Sequence, residues 1–209
     1  PRLLGLRGHP TATPWRPSCG SRPGAPTPTA PASPSARSAS TRTRLHLNGR
    51  YAKIKGVDLH HDLGALGAAV SADAIRRQMT IMKSMGVNAF RTSHNPPSPE
   101  MIQVCEELGI VMLVEAFDCW KSSKTRYDYG RFFDDWADRD VAEMVLAARN
   151  SPAVVIWSIG NEISEFTSTA GLAMADRLIA AVKAYDDTRP VVIGSHRHRS
   201  VPARGPRPT

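Results

Sequence analysis

Between residues 45 and 194 the chain alternates short continuous apolar runs with longer stretches whose apolar residues recur every three or four positions. Leu45 to Val57 reads as extended chain with a turn at Asn48-Gly49 and a strand over Ala52–Val57. Ser71 then suits a helix N-cap, and Ile75, Met79, Met82 and Met85 keep helical spacing until Gly86. Val87–Arg91 is a second apolar run. Pro96-Pro97-Ser98-Pro99 opens a second helix, with Met101, Ile102, Cys105 and Leu108 on one face and Gly109 at its end. A third strand is expected over Ile110–Ala116. After a longer loop comes a helix near Phe132–Arg149, with Trp136, Val141, Val145 and Leu146 as its buried stripe. A fourth strand over Ala153–Ile159, a helix near Thr169–Tyr185 and a fifth strand over Pro190–Gly194 complete the series.

Strands apolar on both faces, alternating with amphipathic helices, predict an α/β fold with a parallel sheet covered by helices. Five strands and four helices between them fit an open doubly wound sheet or about the first five units of a (β/α)₈ TIM barrel. No G-x-G-x-x-G or phosphate-binding loop comes after the first strand, which counts against a nucleotide site.

The 209 residues carry a formal net charge of +8, which by itself suggests a polyanion partner. Its distribution changes that picture. Residues 1–44 hold seven Arg, no Lys, Asp or Glu, and nine of the seventeen Pro; residues 195–209 hold four Arg and again no acid. The stretch 45–194 carries 16 basic and 19 acidic side chains, so the body is mildly acidic. We therefore expect a disordered Arg/Pro-rich tail over 1–44, a folded domain over 45–194 and a disordered basic tail over 195–209. Two origins for the tails stay open, out-of-frame translation of a GC-rich gene and a natural linker. The chain begins with Pro1, which reads as a fragment or a processed product.

Other classes are set aside on similar grounds. No run of about eighteen apolar residues is present, so no membrane-spanning helix is expected. Leu3-Leu4-Gly5-Leu6 is too short for a signal-peptide core, and the compartment stays open with a lean toward the cytoplasm. Cys19, Cys105 and Cys119 have neither disulfide nor metal-ligand spacing. Cys105 falls on an apolar helical face, as a small hydrophobe. The Arg of the tails are scattered among Pro with few aromatics, so no specific nucleic-acid binding is expected of them.

The chemistry lies at the C-terminal end of each strand. The first strand ends in Asp58-Leu59-His60-His61, the second in Arg91-Thr92-Ser93-His94-Asn95, the third in Glu115-Ala116-Phe117-Asp118, the fourth in Asn161-Glu162. In a parallel α/β fold these ends share one rim, where sites are built. The convergence suits a polyhydroxylated ligand of little charge. Glu162, directly after a buried strand, is expected to be partly desolvated, hence raised in pKa and suited to donating a proton. The alternative is that Glu162 caps the next helix. His60 and His61 are adjacent on extended chain and point to opposite sides, so they are no metal-binding H-x-H, and His61 reads as a loop residue.

Four segments resemble the catalytic barrel of glycoside hydrolase family 2, the β-galactosidase and β-glucuronidase relatives. They are Leu47-Asn48-Gly49-Arg50 leading into Lys55-Gly56-Val57-Asp58-Leu59-His60; Met85 to Pro97, containing Arg91-Thr92-Ser93-His94-Asn95-Pro96-Pro97; Val114-Glu115-Ala116-Phe117-Asp118; and Asn150 to Glu162, ending Trp157-Ser158-Ile159-Gly160-Asn161-Glu162. Their order and spacing match over nearly all of 45–194. The resemblance implies a retaining O-glycosyl hydrolase acting on a β-glycoside, with Glu162 as general acid/base and Asn161 at the sugar 2-hydroxyl. It places Arg91, His94 and Asn95 around the glycone, His60 beside it, Glu115 in the hydrogen-bonding of the site, Asp118 on the sugar and Trp120 as a stacking wall. Some members carry magnesium near the acid/base, but the ligands expected past the third strand are replaced by Asp118-Cys119-Trp120. Neither a metal nor another cofactor is expected.

In that family the nucleophilic Glu comes after a later strand. Residues 188–209 contain no Asp or Glu, so the chain is expected to hold half of the catalytic pair and to be weak or inactive alone. Three alternatives remain: a cellulase- or mannanase-type glycosidase of the same clan, against which Arg91-Thr92-Ser93-His94-Asn95-Pro96-Pro97 argues; a non-catalytic sugar-binding remnant; and an Arg-tail polyanion binder. The oligomeric state, the sugar and the linkage are not legible in the residues.

Overall fold

The computed structural model describes residues 38–40 and 45–194; the rest of the expected tails, 1–37, 41–44 and 195–209, lies outside the described residues. Three short strands, β1 (Ser38–Ser40), β2 (Leu45–Leu47) and β3 (Arg50–Tyr51), pair antiparallel in sequence order. Composition assigns 38–40 to the N-terminal tail; they are a strand instead, Ser38 standing opposite Leu47. Asn48 and Gly49 both take positive φ, 51° and 78°, as the tight turn joining β2 to β3 demands.

The strand expected over Ala52–Val57 is divided differently. β3 stops at Tyr51 and the next strand, β4, spans Gly56–His60. The reason is Asn88, whose side chain accepts from Lys55 N–H at 2.8 Å and donates to the Lys53 carbonyl at 2.9 Å. A side-chain amide thus takes the bonds that a neighbouring strand would supply.

β4 begins a five-stranded parallel sheet with α1 (Ala72–Ser84), β5 (Ala89–Ser93), α2 (Pro99–Leu108), β6 (Val111–Glu115), α3 (Phe133–Ala148), β7 (Val154–Ser158), α4 (Thr169–Lys183) and β8 (Val191–Val192). The strands lie in sequence order, β4-β5-β6-β7-β8, every pair parallel. A doubly wound sheet reverses its order at a switch point; this one does not, and right-handed crossovers then put every helix on one face. The architecture is part of a (β/α)₈ barrel.

Helix starts agree closely with the sequence. Ser71, Ser98 and Ser168 accept from the backbone N–H three residues on, Pro99 opens α2, and Gly109 closes it at φ 66°. Two helical faces are corrected. Met85 lies beyond the end of α1 and is 65% exposed. In α3 the buried stripe is Phe133, Ala137, Val141, Met144, Val145 and Ala148, whereas Trp136 and Leu146 face out. Alanines at 137 and 148 let the helix approach the sheet, and Trp136 instead lies under the Arg139 guanidinium, 4.9 Å from its ring centre.

The sheet's uncovered face is the interior of the barrel. Asp58, Arg91, Leu113 and Ile156 stand side by side there, and the concavity of about 310 Å³ is lined largely by apolar side chains. Two residues farther along each strand, on the same face, come His60, Ser93, Glu115 and Ser158. A bulge makes that last alignment. The pairing of β6 with β7 slips between Met112 and Leu113, so Ser158 rather than Trp157 stands opposite Glu115. Trp157 is thereby turned to the helix side, where its indole donates to Asp186 at 2.8 Å. No helix among the described residues is long and apolar enough to cross a membrane.

Candidate active site

The centre of the site is Glu115, the last residue of β6, wholly enclosed at 0% exposure. Its carboxylate accepts from Arg91 Nε at 2.9 Å and Arg91 Nη2 at 2.7 Å, from Ser158 Oγ at 2.6 Å, and meets His94 Nδ1 at 2.6 Å. Its own N–H donates to Thr92 Oγ1 at 2.9 Å. A buried carboxylate is costly unless paired and fully hydrogen-bonded, and here both conditions are met. Because the Glu115 carboxylate accepts, Nδ1 of His94 carries the shared proton, and Nε2 is turned away from Glu115.

From Arg91 the network runs on to the acid/base segment. Arg91 Nη2 also donates to Asn161 Oδ1 at 2.8 Å, and Asn161 Nδ2 donates to Asp118 Oδ1 at 2.9 Å. Lys124 Nζ closes the chain, donating to Asp118 Oδ1 at 2.8 Å and to the Asn161 carbonyl at 3.0 Å. Burial pushes the Asp118 carboxyl up, but the bonds from Lys124 and Asn161 outweigh that and hold it below the usual range. The rims of β5, β6 and β7 are thus tied into one polar network.

Glu162 comes immediately after Asn161, with a positive φ of 46°. That conformation is uncommon outside glycine and is fixed here by neighbours: Glu162 N–H donates to Gly194 O at 2.8 Å and Gly194 N–H to Gly160 O at 2.8 Å. Gly160 is required, since a Cβ would come within 2.7 Å of Ile163 and 2.9 Å of the Trp120 indole nitrogen. The expected desolvation of Glu162 is not found. Its side chain is exposed, because no strand beyond β8 rises beside it within the described residues. Nor does it cap a helix: the 3₁₀ turn Ser164–Thr167 starts at Ile163 without a side-chain cap, and Ser168 caps α4.

The remaining expected residues divide sharply. His60 lies at the end of β4 with its ring edge-on to His94, centres 5.4 Å apart. Asn95 is exposed on the same rim, donating only to the adjacent Pro96 carbonyl. One assignment to direct sugar contact, that of Trp120, is corrected. Trp120 is 0% exposed, packs on Phe133 and donates its indole N–H to Ile159 O at 2.8 Å, so it is core and offers no face for stacking. Glu115 is likewise inaccessible and acts through Arg91 and His94. Ser158 and Lys124 escaped the sequence reading. Ser158 is visible only through the bulge; Lys124 had only a weak signal, being one of four cations in the rim loop with Lys121, Arg126 and Arg131.

The described residues gather no group of His, Cys, Asp or Glu able to hold a metal ion, and Asp118 is turned to Lys124 and Asn161. Cys105 and Cys119 are buried free thiols, and burial pushes Cys105 up to about 12.

Comparison with known proteins points to one family. Residues 39–203 fit the profile described as "Glycosyl hydrolases family 2, TIM barrel domain", reaching into the stretch composition assigns to the basic tail. The chain is 40% identical over 190 residues to the β-galactosidase BoGH2A of Bacteroides ovatus, covering 76% of this chain and 22% of that protein. It is 34% identical over 166 residues to a putative β-glucuronidase of Formosa agariphila, covering 79% of this chain and 15% of the relative. A solved family 2 member from Bacteroides cellulosilyticus superposes with a TM-score of 0.74 at 39% identity, covering 77% of this chain and 21% of that one. The chain thus spans about a fifth of the length of these relatives.

Proposed function

The chain belongs to glycosyl hydrolases family 2, and we propose that it carries the general acid/base half of a retaining, β-galactosidase-like site. In this reading Glu162 delivers its proton to the glycosidic oxygen as the bond to the anomeric carbon breaks. A second carboxylate attacks that carbon from the opposite face. Glu162, now a carboxylate, then takes a proton from the water that releases the sugar. Asn161 holds the 2-hydroxyl, Arg91 and His94 grip the glycone with His60, Asn95 and Asp118 beside them, and Glu115 keeps Arg91 and His94 in place.

The observation that supports the reading is the network from His94 through Glu115, Arg91 and Asn161 to Asp118, which gathers polar groups suited to a sugar on the strand rim immediately before Glu162. Charge supports a neutral glycone over a uronate. Arg91 is matched by Glu115 and Lys124 by Asp118, while Asp58 and Glu162 add negative charge. The nucleophile is proposed to come from outside residues 1–209: Glu115 is sealed off, and no acid occurs after Asp187.

The test is turnover of p-nitrophenyl β-galactoside by the purified chain, alone and mixed with a polypeptide carrying the later barrel units of a related β-galactosidase. Alone, activity should fall several orders of magnitude short of a full-length relative; the mixture should regain turnover that Glu162→Gln abolishes. Full turnover by the chain alone, indifferent to Glu162→Gln, would overturn the assignment. A sugar-binding remnant is the second reading, favoured by a hydrogen-bond network that is complete without Glu162.

A further inference from the structure

The loop between β6 and α3 carries two kinds of cation. Lys121 is paired with Asp134 and Lys124 with Asp118, so both are neutralised locally. Arg126 and Arg131 are not. Both are exposed and form no ion pair among the described residues. Of the carboxylates nearest in sequence, Asp135 forms no ion pair among the described residues and the others are engaged elsewhere. Asp128 accepts from the backbone N–H of Lys124, Thr125 and Gly130, Asp134 holds Lys121, and Asp140 takes the Tyr129 hydroxyl.

What Arg126 and Arg131 share is an aromatic platform. Their guanidinium carbons lie 5.2 Å and 5.7 Å from the centre of the Tyr127 ring, and Arg131 also lies 4.8 Å from Phe132. Tyr127 is 68% exposed and Phe132 45%. Two guanidiniums without an ion-pair partner among the described residues thus stand against one exposed ring, with N–H groups free to meet an anion. The planar fork of Arg suits carboxylate and sulfate oxygens, while the ring edge offers apolar contact to a sugar. Arg126 is two residues, at most about 7 Å of chain, from Lys124, which touches Asp118 and the Asn161 carbonyl, so both belong to the same rim loop.

We propose that Arg126, Tyr127 and Arg131 form a subsite for an anionic group, a carboxylate or a sulfate ester, carried by the leaving-group part of the substrate. The substrate class is then a β-glycoside with a neutral glycone and an acidic aglycone. The statement that the anion belongs to a substrate rests on the glycosidase reading; the anion site itself does not.

The experiment tracks the Arg Nε–Hε NMR signals of the purified chain during titration. Sodium gluconate, and separately glucose 6-sulfate, should shift Arg126 and Arg131 saturably, glucitol should not, and whichever anion binds more tightly identifies the group. Binding should weaken about tenfold between about 20 and about 200 mM salt, and vanish in Arg126→Gln/Arg131→Gln. Lactobionate and lactitol, β-galactosides whose leaving groups differ only by carboxylate against CH₂OH, should then differ about tenfold in affinity, falling to parity in the double variant. Anions that leave Arg126 and Arg131 unmoved, or a lactobionate preference that survives the double variant, overturn the subsite. Failure of lactitol to shift Arg91, His94 and Asn161 counts against the glycosidase reading alone, since gluconate and glucose 6-sulfate still decide the subsite.

Discussion

Ser158 donates its hydroxyl proton to Glu115 Oε2 at 2.6 Å across β6 and β7, and the bulge at Met112/Leu113 is what makes them neighbours. Without the extra residue Trp157 would stand opposite Glu115, putting a bulky indole in place of the small Ser158 hydroxyl. The slip sets the polarity of the barrel interior at the level of the site. Glu115 in turn holds Arg91 and His94, so a one-residue irregularity in strand pairing determines how two candidate sugar ligands are presented.

Ser158→Ala should lower stability by about 1 kcal/mol, the usual worth of a buried neutral hydrogen bond. Glu115→Gln should cost about 3 kcal/mol, because Arg91 and His94 both lose a charged acceptor inside the fold. Urea unfolding monitored by tryptophan fluorescence measures both. Equal, small effects for the two variants would show that Glu115 is not the hub of the network.

Ser93 presents the opposite case. Its hydroxyl is buried at 1% exposure and has no hydrogen-bond partner among the described residues. Desolvating a hydroxyl without replacing its bonds costs about 1–3 kcal/mol, so Ser93→Ala should be neutral or stabilising by up to about 1 kcal/mol. The melting temperature of the variant decides this. A clear drop would mean that the hydroxyl is engaged in the folded protein.

Most of the architecture was legible because barrel strands and helices obey different periods and because serines and a glycine mark the helix ends. Glu162, Asn161, Arg91 and His94 were legible through their place after apolar strands. What escaped depended on three-dimensional register. Whether Trp120 faces sugar or core turns on the hydrogen bond from its indole to Ile159 O, formed 39 residues away. Ser158 needed the bulge, and the strand expected at Ala52–Val57 was displaced by the side chain of Asn88. Choosing Trp136 and Leu146 for the stripe of α3 weighted residue size above helical phase. The exposure of Glu162 came from a different source: local pattern predicted burial that neighbouring strands must provide.

Acid should cost stability through Asp186, on the helix side of the sheet. Burial pushes the Asp186 carboxyl up, yet bonds from Thr188, Trp157 and Arg189 outweigh it and hold the group well below the usual range. A depressed folded-state pKa adds stability that is complete above the ordinary carboxylate value of about 4 and is lost as pH falls below it. Asp186→Asn should therefore cost about 2 kcal/mol at neutral pH, with the gap to the parent narrowing below about pH 4. Melting curves of both proteins across that range test the sign. A gap that widens on acidification would contradict it.

The role of Glu162 makes a prediction that simple loss of activity does not. A proton donor matters in proportion to how poorly the leaving group departs unaided. In the mixture with the later barrel units, Glu162→Gln should slow cleavage of lactose or methyl β-galactoside by about 10²–10⁴-fold. For 2,4-dinitrophenyl β-galactoside, whose phenolate leaves without a proton, formation of the glycosyl-enzyme should be nearly unaffected. Hydrolysis of that intermediate should slow, because the same residue no longer takes the proton from water. Pre-steady-state measurement should then show a burst of dinitrophenolate and, after it, slow turnover. Arg91→Ala, which removes a glycone ligand rather than the proton donor, should depress both substrates alike. If Glu162→Gln lowers both substrates by one common factor and gives no burst, Glu162 binds the sugar and does not donate the proton.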